Sequence, residues 1–427
     1  MALLLVYPRF RWFVFAALMV ATIGGGVSLI WPAPLMQEIA ANMQVPLGVA
    51  TGAGMVSYTV FGTVGAIIGG VCFDRLGINR VMIFSVFLLM AGMALTPVIG
   101  TNFKGFILTR VITGLASGPL TVSVGVIAAT WFPVKERGPI AGLHGMAIAM
   151  GVAVGFALVP VAFLKTHSVA ATGAWMSLMP LVGLIFFIIV ALGPKAPVQA
   201  TTHQDSAADA GQDFSRAARL PVFFLGILTI FSLVWCMNGF NDLTPVYLSA
   251  KAPLGVGHGL LKAGQFMGLL QVSMMVGSAL SGFLLEKLFK ENVKAMCMVA
   301  FPIMALVVLS LRFPAVAGNP SLLPVLLVIY GFFQGWVVPA CLTFASLHFP
   351  THIVGKVVGI WMGLGFMGGT VGVIVGATLL HHTSLYLASL LAVTLVAVCG
   401  FFFATLLTPP TLFKEAKAPV RRPLTEG

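Results

Sequence analysis

Gly70-Val71-Cys72-Phe73-Asp74-Arg75-Leu76-Gly77-Ile78-Asn79-Arg80 lies between two long apolar runs, and a weaker copy, Gly282-Phe283-Leu284-Leu285-Glu286-Lys287-Leu288, returns half a chain later. Glycine, acid and base keep the same relative positions in both. An acid–base pair between two bilayer-length runs, found twice at equivalent points, argues for a duplicated multi-span membrane protein. Charged residues make up 8% of the chain and apolar residues 59%, against about 25% charged in soluble domains. Twelve candidate spans of about the length a membrane helix needs, roughly 20 residues, lie at 12–36, 47–72, 78–98, 104–130, 138–162, 170–193, 220–249, 260–285, 295–312, 320–346, 354–380 and 384–408. In lipid the backbone must be satisfied within each segment, so these spans are expected to be helices.

The net charge of +12 invites a nucleic-acid reading, which its distribution excludes. When the spans alternate sides, seventeen of the 23 lysines and arginines fall on one side. Lys104, Lys165, Lys251, Lys262 and Arg312 fall on the other, and Arg110 lies inside a span. This is the positive-inside asymmetry, so both termini are expected in the cytoplasm, in a cytoplasmic (inner) membrane. Attraction to anionic lipid is a secondary consequence. The five cysteines have no paired spacing, so neither a disulfide framework nor a metal motif is implied.

The polar stretch Gly193–Arg219 divides the spans six and six. The expected organisation is a first half at 1–193, a cytoplasmic linker at 194–219, a second half at 220–408 and a cytoplasmic tail at 409–427. One register aligns Gly114 with Gly331, Gly118 with Gly335, Phe132-Pro133 with Phe349-Pro350, and Gly138, Gly142, Gly151 and Gly155 with Gly355, Gly359, Gly368 and Gly372. Parallel six-span repeats belong to transporters with two rocking halves and a site between them near the midplane.

On these motifs the chain resembles the major facilitator superfamily over essentially its whole length. Gly70–Arg80 is similar to the family's loop signature between the second and third helices, although Ile78-Asn79-Arg80 replaces the usual basic run. Arg110-x3-Gly114-x3-Gly118 is similar to its fourth-helix motif. The resemblance implies an all-α membrane fold of twelve helices in two six-helix pseudo-repeats. It also implies a conformational role for Gly70, Asp74, Arg75, Gly77, Arg80, Glu286 and Lys287, whose acid–base pairs would latch neighbouring helices. The fifth helix lacks the Gly-Pro pair of the family's proton-driven exporters, whereas Thr130-Trp131-Phe132-Pro133-Val134-Lys135-Glu136-Arg137-Gly138 is similar to a phrase of its anion and organic-acid carriers.

An ionisable group inside a span is a functional candidate, because an arginine at a helix centre costs about 2.5–3.5 kcal/mol on insertion scales. Arg110 is six residues beyond Lys104, roughly 9 Å into the fourth helix. It is read as an anion or coupling site, or else as a snorkelling side chain bonded to carbonyls. Asp242, within Asn238-Gly239-Phe240-Asn241-Asp242-Leu243-Thr244-Pro245, is its candidate companion at similar depth, as a proton site or as the cap of a helix break. Asn238, Tyr58, Gln271, Tyr330, Gln334 and Trp31 are the remaining substrate or coupling candidates, each weighed against simple interhelical bonding. The triplet Gly24-Gly25-Gly26 is read as allowing close helix packing.

The expected function is secondary active transport of a small solute, an organic or inorganic anion, by alternating access coupled to protons. The expected partners are that solute, protons and membrane lipid, with no nucleic acid; the chain is expected to act as a monomer, without cofactor or metal. A proton-driven exporter of drugs or metabolites, and a transporter-like receptor without flux, stay open as alternatives. A membrane enzyme would need converging acids, bases or ligands, and most of the 11 acidic residues fall in loops. Nitrate carriers of that superfamily place anion-clamping arginines in the middle of the second and eighth helices; this sequence has none there, so the resemblance implies carboxylates or larger anions over nitrate.

Overall fold

The computed structural model describes residues 8–196 and 207–410. Part of the expected linker and most of the expected tail lie outside the described residues, as do the side chains of Asp74, Lys135 and Arg137 and the aligned pair Gly138 and Gly355. Among the described residues, eleven helices are long and apolar enough to cross a membrane, and a shorter apolar helix, Ile78–Ala94, completes twelve. The first half comprises spans Arg11–Asn42, Leu47–Leu76, Ile78–Ala94, Phe103–Trp131, Val134–Thr166 and a sixth in two pieces, Val169–Met176 and Leu178–Leu192. The second half comprises Pro221–Ser249, Leu260–Lys287, Val293–Ser310, Leu322–His348, Thr351–Thr383 and Tyr386–Leu406. Both described ends share one side, here the terminal side, together with the linker helix Ala207–Ala218. The opposite side is the far side.

Two spans read as single helices are interrupted. The first runs as Arg11–Ile30, a tight turn Ala33–Leu35 and a short helix Met36–Asn42. Pro32 and Pro34 cause this break, since neither has an N–H to donate to the carbonyl four residues back. The sixth breaks at Ser177, three residues before Pro180. The seventh, by contrast, continues through Asp242 and Pro245, so Asp242 is an interior residue and not the cap of a break.

Glycines set the helix spacing, and the two halves repeat the same contacts. A Cβ at Gly65 would overlap the Leu115 carbonyl, and one at Gly277 the Phe332 carbonyl. Gly114 and Gly118 press on the second span as Gly331 and Gly335 press on the eighth. Gly151 meets the Ile23 carbonyl as Gly368 meets that of Phe231. Gly24 abuts Pro180, and Gly26 the Ile148 carbonyl, which is the close packing expected of the Gly24–Gly26 triplet. Small residues permit such backbone contact in lipid, where dispersion, not water exclusion, holds helices together.

The halves touch on the far side and part on the terminal side. Gly48 and Gly52 of the second span lie against Ala377 of the eleventh, and Gly264 of the eighth against Phe156 and Pro160 of the fifth. A Thr370 to Thr59 hydrogen bond of 3.2 Å crosses the same seam. Nearer the terminal side, Gly142, Gly145, Gly359 and Gly363 on these spans face open space. The apolar core follows suit. One large cluster joins Trp31, Met36 and Phe156 of the first half to Phe240, Tyr330 and Trp361 of the second. A separate cluster containing Val14, Leu18, Trp131 and Phe187 fills the terminal side of the first half alone.

Overpacking of this kind costs about 1–3 kcal/mol. Gly65→Ala and Gly277→Ala are therefore each expected to lower the melting temperature of the detergent-solubilised protein. Gly70→Ala, whose Cβ would meet nothing within 4 Å, is expected to leave it unchanged. Equal melting of all three would show that these contacts do not set the spacing.

Candidate functional site

Where the first span breaks, Pro32 leaves the Ser28 carbonyl without its helical donor. Arg110, only 1% exposed, reaches across from the fourth span to supply one. Its Nη1 donates to Ser28 O at 2.6 Å, Nη2 to Leu29 O at 2.9 Å and Nε to Gly54 O at 3.0 Å. The guanidinium lies 4.5 Å from the ring centroid of Tyr58, and the Tyr58 hydroxyl donates to Gly25 O at 3.1 Å. One cation thus ties the first, second and fourth spans together. Three of its five N–H groups are engaged with these carbonyls, leaving two.

Asp242 is 3% exposed. It lies on the seventh span, where that helix packs against the Ala33–Leu35 turn. Among the described residues Arg110 and Asp242 form no ion pair within 4.0 Å. Nearby amides are partly satisfied: Gln271 Nε2 donates to Asn241 Oδ1 at 2.9 Å. Tyr330 donates to Cys236 O at 3.1 Å and stacks on Phe240 with centroids 4.5 Å apart. Asn238 is half-buried and its amide faces Gly369 of the eleventh span. Gln334 is buried with neither amide atom hydrogen-bonded. Trp31 is a packing residue, buried edge-on to Phe106 at 6.2 Å. Trp336 and Trp361 are likewise buried among phenylalanines; Trp235 is half-buried.

The loop signatures lie at the terminal side, away from this cluster. Gly77 joins the second and third spans at φ +79°, a conformation that favours glycine. Arg75 and Arg80 are exposed. In the second half, Glu286 pairs with its own neighbour Lys287 at 3.0 Å, both exposed, so this acid–base pair is local here. A pair that sequence reading did not single out links two spans instead: Arg11 to Glu136 at 3.2 Å. Its members are 125 residues apart, and no spacing rule joins them. No group of three metal-ligating side chains occurs among the described residues.

Leaving a buried carbonyl without a donor costs about 1–3 kcal/mol per group. Arg110→Leu is therefore expected to destabilise the fold strongly, and less so in a Pro32→Ala background, where the residue 32 N–H can return to Ser28 O. A double-mutant cycle of melting temperatures checks this, and strict additivity would refute the link.

The chain is 25% identical over 335 residues to the cis,cis-muconate transport protein of Acinetobacter baylyi, covering 75% of this chain and 76% of that one. It is 20% identical over 221 residues to the hexuronate transporter of Bacillus subtilis, covering 51% and 49%. Its fold is similar to a crystal structure of a bacterial homologue of the human lysosomal transporter Spinster. That match has a TM-score of 0.75 at 13% identity and covers 93% of this chain and 97% of the other. The family model described as Major Facilitator Superfamily matches residues 13–314 and 294–426. With twelve spans, repeated glycine contacts and a buried charge cluster between two halves, this chain is a membrane transporter, not an enzyme, and belongs to the major facilitator superfamily.

Proposed function

We propose that the chain carries a small organic anion together with protons across the cytoplasmic membrane, by alternating access between its halves, residues 1–193 and 220–408. One observation carries the reading. Among the described residues, Arg110 is the buried lysine or arginine and Asp242 the buried acid, and they form no ion pair within 4.0 Å. With Asp242 ionised the pair is neutral overall. With Asp242 protonated the guanidinium charge is unbalanced, and an anion is attracted to the two free N–H groups of Arg110. Anion and proton then bind together and leave together.

The far-side seam blocks one route to this cluster while the terminal side is open. The basic asymmetry assigns the terminal side to the cytoplasm, so this arrangement corresponds to the cytoplasm-open state. Both halves of the site come from one chain, consistent with a monomer as the working unit. The likeness to muconate and hexuronate transporters supports an organic anion.

In proteoliposomes, Asp242→Asn is expected to abolish carboxylate accumulation driven by a proton gradient. Carboxylate counterflow should remain within a few-fold of the unmodified protein, because a neutral residue at 242 mimics the protonated state. Gradient-driven accumulation that survives the substitution would overturn Asp242 as the coupling residue. Failure of the unmodified chain to move any carboxylate would overturn the anion reading.

A further inference from the structure

Beside the contact that joins the halves on the far side, the second and eleventh spans leave a groove of about 500 Å³. Gly52, Val56, Val60 and Phe61 form one wall, Ile374 and Ala377 the other. At the far end Gly48 closes it against Ala377 and His381. One turn inward from Ile374 the spans meet again, through the Thr370 to Thr59 hydrogen bond. Val49, Val60 and Ile374 are exposed aliphatic residues at its edge, so its mouth faces hydrocarbon, because polar groups in a span turn to the bundle interior or to water. Ser57 turns its hydroxyl back to the Ala53 carbonyl at 2.6 Å, which keeps that wall apolar.

The opposite seam, between the fifth and eighth spans, is filled by the protein itself. The register that pairs Gly155 with Gly372 places Pro160 at the position of Ala377 and Phe156 at that of Val373. Pro160 and the Phe156 carbonyl pack directly on Gly264. Ala377 has no ring with which to fill the corresponding space. A void in hydrocarbon forfeits dispersion contacts along both walls, so a molecule other than this chain must complete the seam here.

Length identifies that molecule. From Gly48 to Phe61 the second span rises roughly 20 Å, through the far half of its 30 residues. The hydrocarbon of one leaflet is about 15 Å deep. The groove therefore runs from the far interface to the midplane, as one extended acyl chain does. Its walls carry no charge between the exposed His381 at the interface and the Thr370 to Thr59 bond, which suits a lipid tail and not a charged solute.

We propose that this groove binds one acyl chain of a glycerophospholipid of the far leaflet, and that the chain completes the seam between the halves. Both halves supply a wall, so parting them dismantles the site. The bound chain favours the far-closed arrangement, whatever solute is carried.

The test uses the full-length protein in vesicles of phosphatidylethanolamine and phosphatidylglycerol, with a trace of phosphatidylethanolamine bearing a mid-chain diazirine. Labelled peptides are mapped by mass spectrometry. The reference is the sixth span, Leu178–Leu192, exposed through Val182, Ile185 and Ile189. Residues 48–61 and 374–381 are expected to label about tenfold more densely, a preference of about 1.4 kcal/mol. Ala53→Phe fills the groove and should remove that excess alone. In detergent, added phospholipid should raise the melting temperature of the unmodified protein more than that of Ala53→Phe. Even labelling, an excess that survives Ala53→Phe, or equal stabilisation of both proteins would overturn the proposal. A shielded groove in a protein that runs as a dimer would overturn it too, and assign this face to a second copy. The labelling ratio needs no variant, so the proposal is tested even if Ala53→Phe fails to fold.

Discussion

A carbonyl without a donor, deep in hydrocarbon, is the constraint on which the rest of this site depends. Pro32 creates it at Ser28, and Arg110 answers it. The proline alone would leave backbone unpaired where no water can serve, and the guanidinium would lose one of the three carbonyls that make its burial tolerable. Together they fix a positive charge at the base of the cleft and fasten three spans of the first half around it. The charge is thereby held in place by structure before any solute arrives, which is the preorganisation that recognition of an anion requires.

The duplication is faithful in backbone contact and divergent in chemistry. Gly65 and Gly277, or Gly151 and Gly368, meet the same atoms in their respective halves. Around those fixed contacts the side chains have drifted. At the equivalent point of the seventh span no proline interrupts the helix, and the Cys236 carbonyl receives the neutral Tyr330 hydroxyl instead of a cation. Close approach tolerates little change, because a single Cβ would collide. The charged pair falls outside those contacts: Arg110 lies in the first half, and its register partner in the second half is Leu327.

Much of the fold was legible in the sequence. Twelve apolar runs, the asymmetry of basic residues and the repeated glycines are all properties of composition and register, which lipid converts directly into helices and packing. Arg110, Asp242 and Gln334 could be singled out because polar groups inside a span are rare. What they do was less legible. Arg110 allowed both an anion-site and a carbonyl-bonding reading, and it does bond carbonyls, because its partners on Ser28, Leu29 and Gly54 are backbone atoms that every residue possesses. The prolines at 32 and 34 were the available signal for that role, since they mark which carbonyls lose their donors. Trp31 resembled a lining residue by type, but its ring turns into the core against Phe106. The direction in which a helical side chain points within a bundle depends on neighbours that a single sequence does not order.

The divided apolar core has a mechanical meaning. The large cluster spans both halves through the far side, whereas the cluster around Val14, Leu18, Trp131 and Phe187 belongs to the first half alone. Contiguous packing defines a unit that opens as a whole, so the molecule holds at least two such units, and they do not coincide with its two halves. The terminal side of the first half can loosen or tighten on its own, while the far side couples both halves into one block. When the seam parts, the larger unit must be cut and apolar contacts between the halves exposed. Closing the terminal side asks for no such sacrifice there. The resting bias of the free protein is thus written into where its core is continuous, independently of any charged residue.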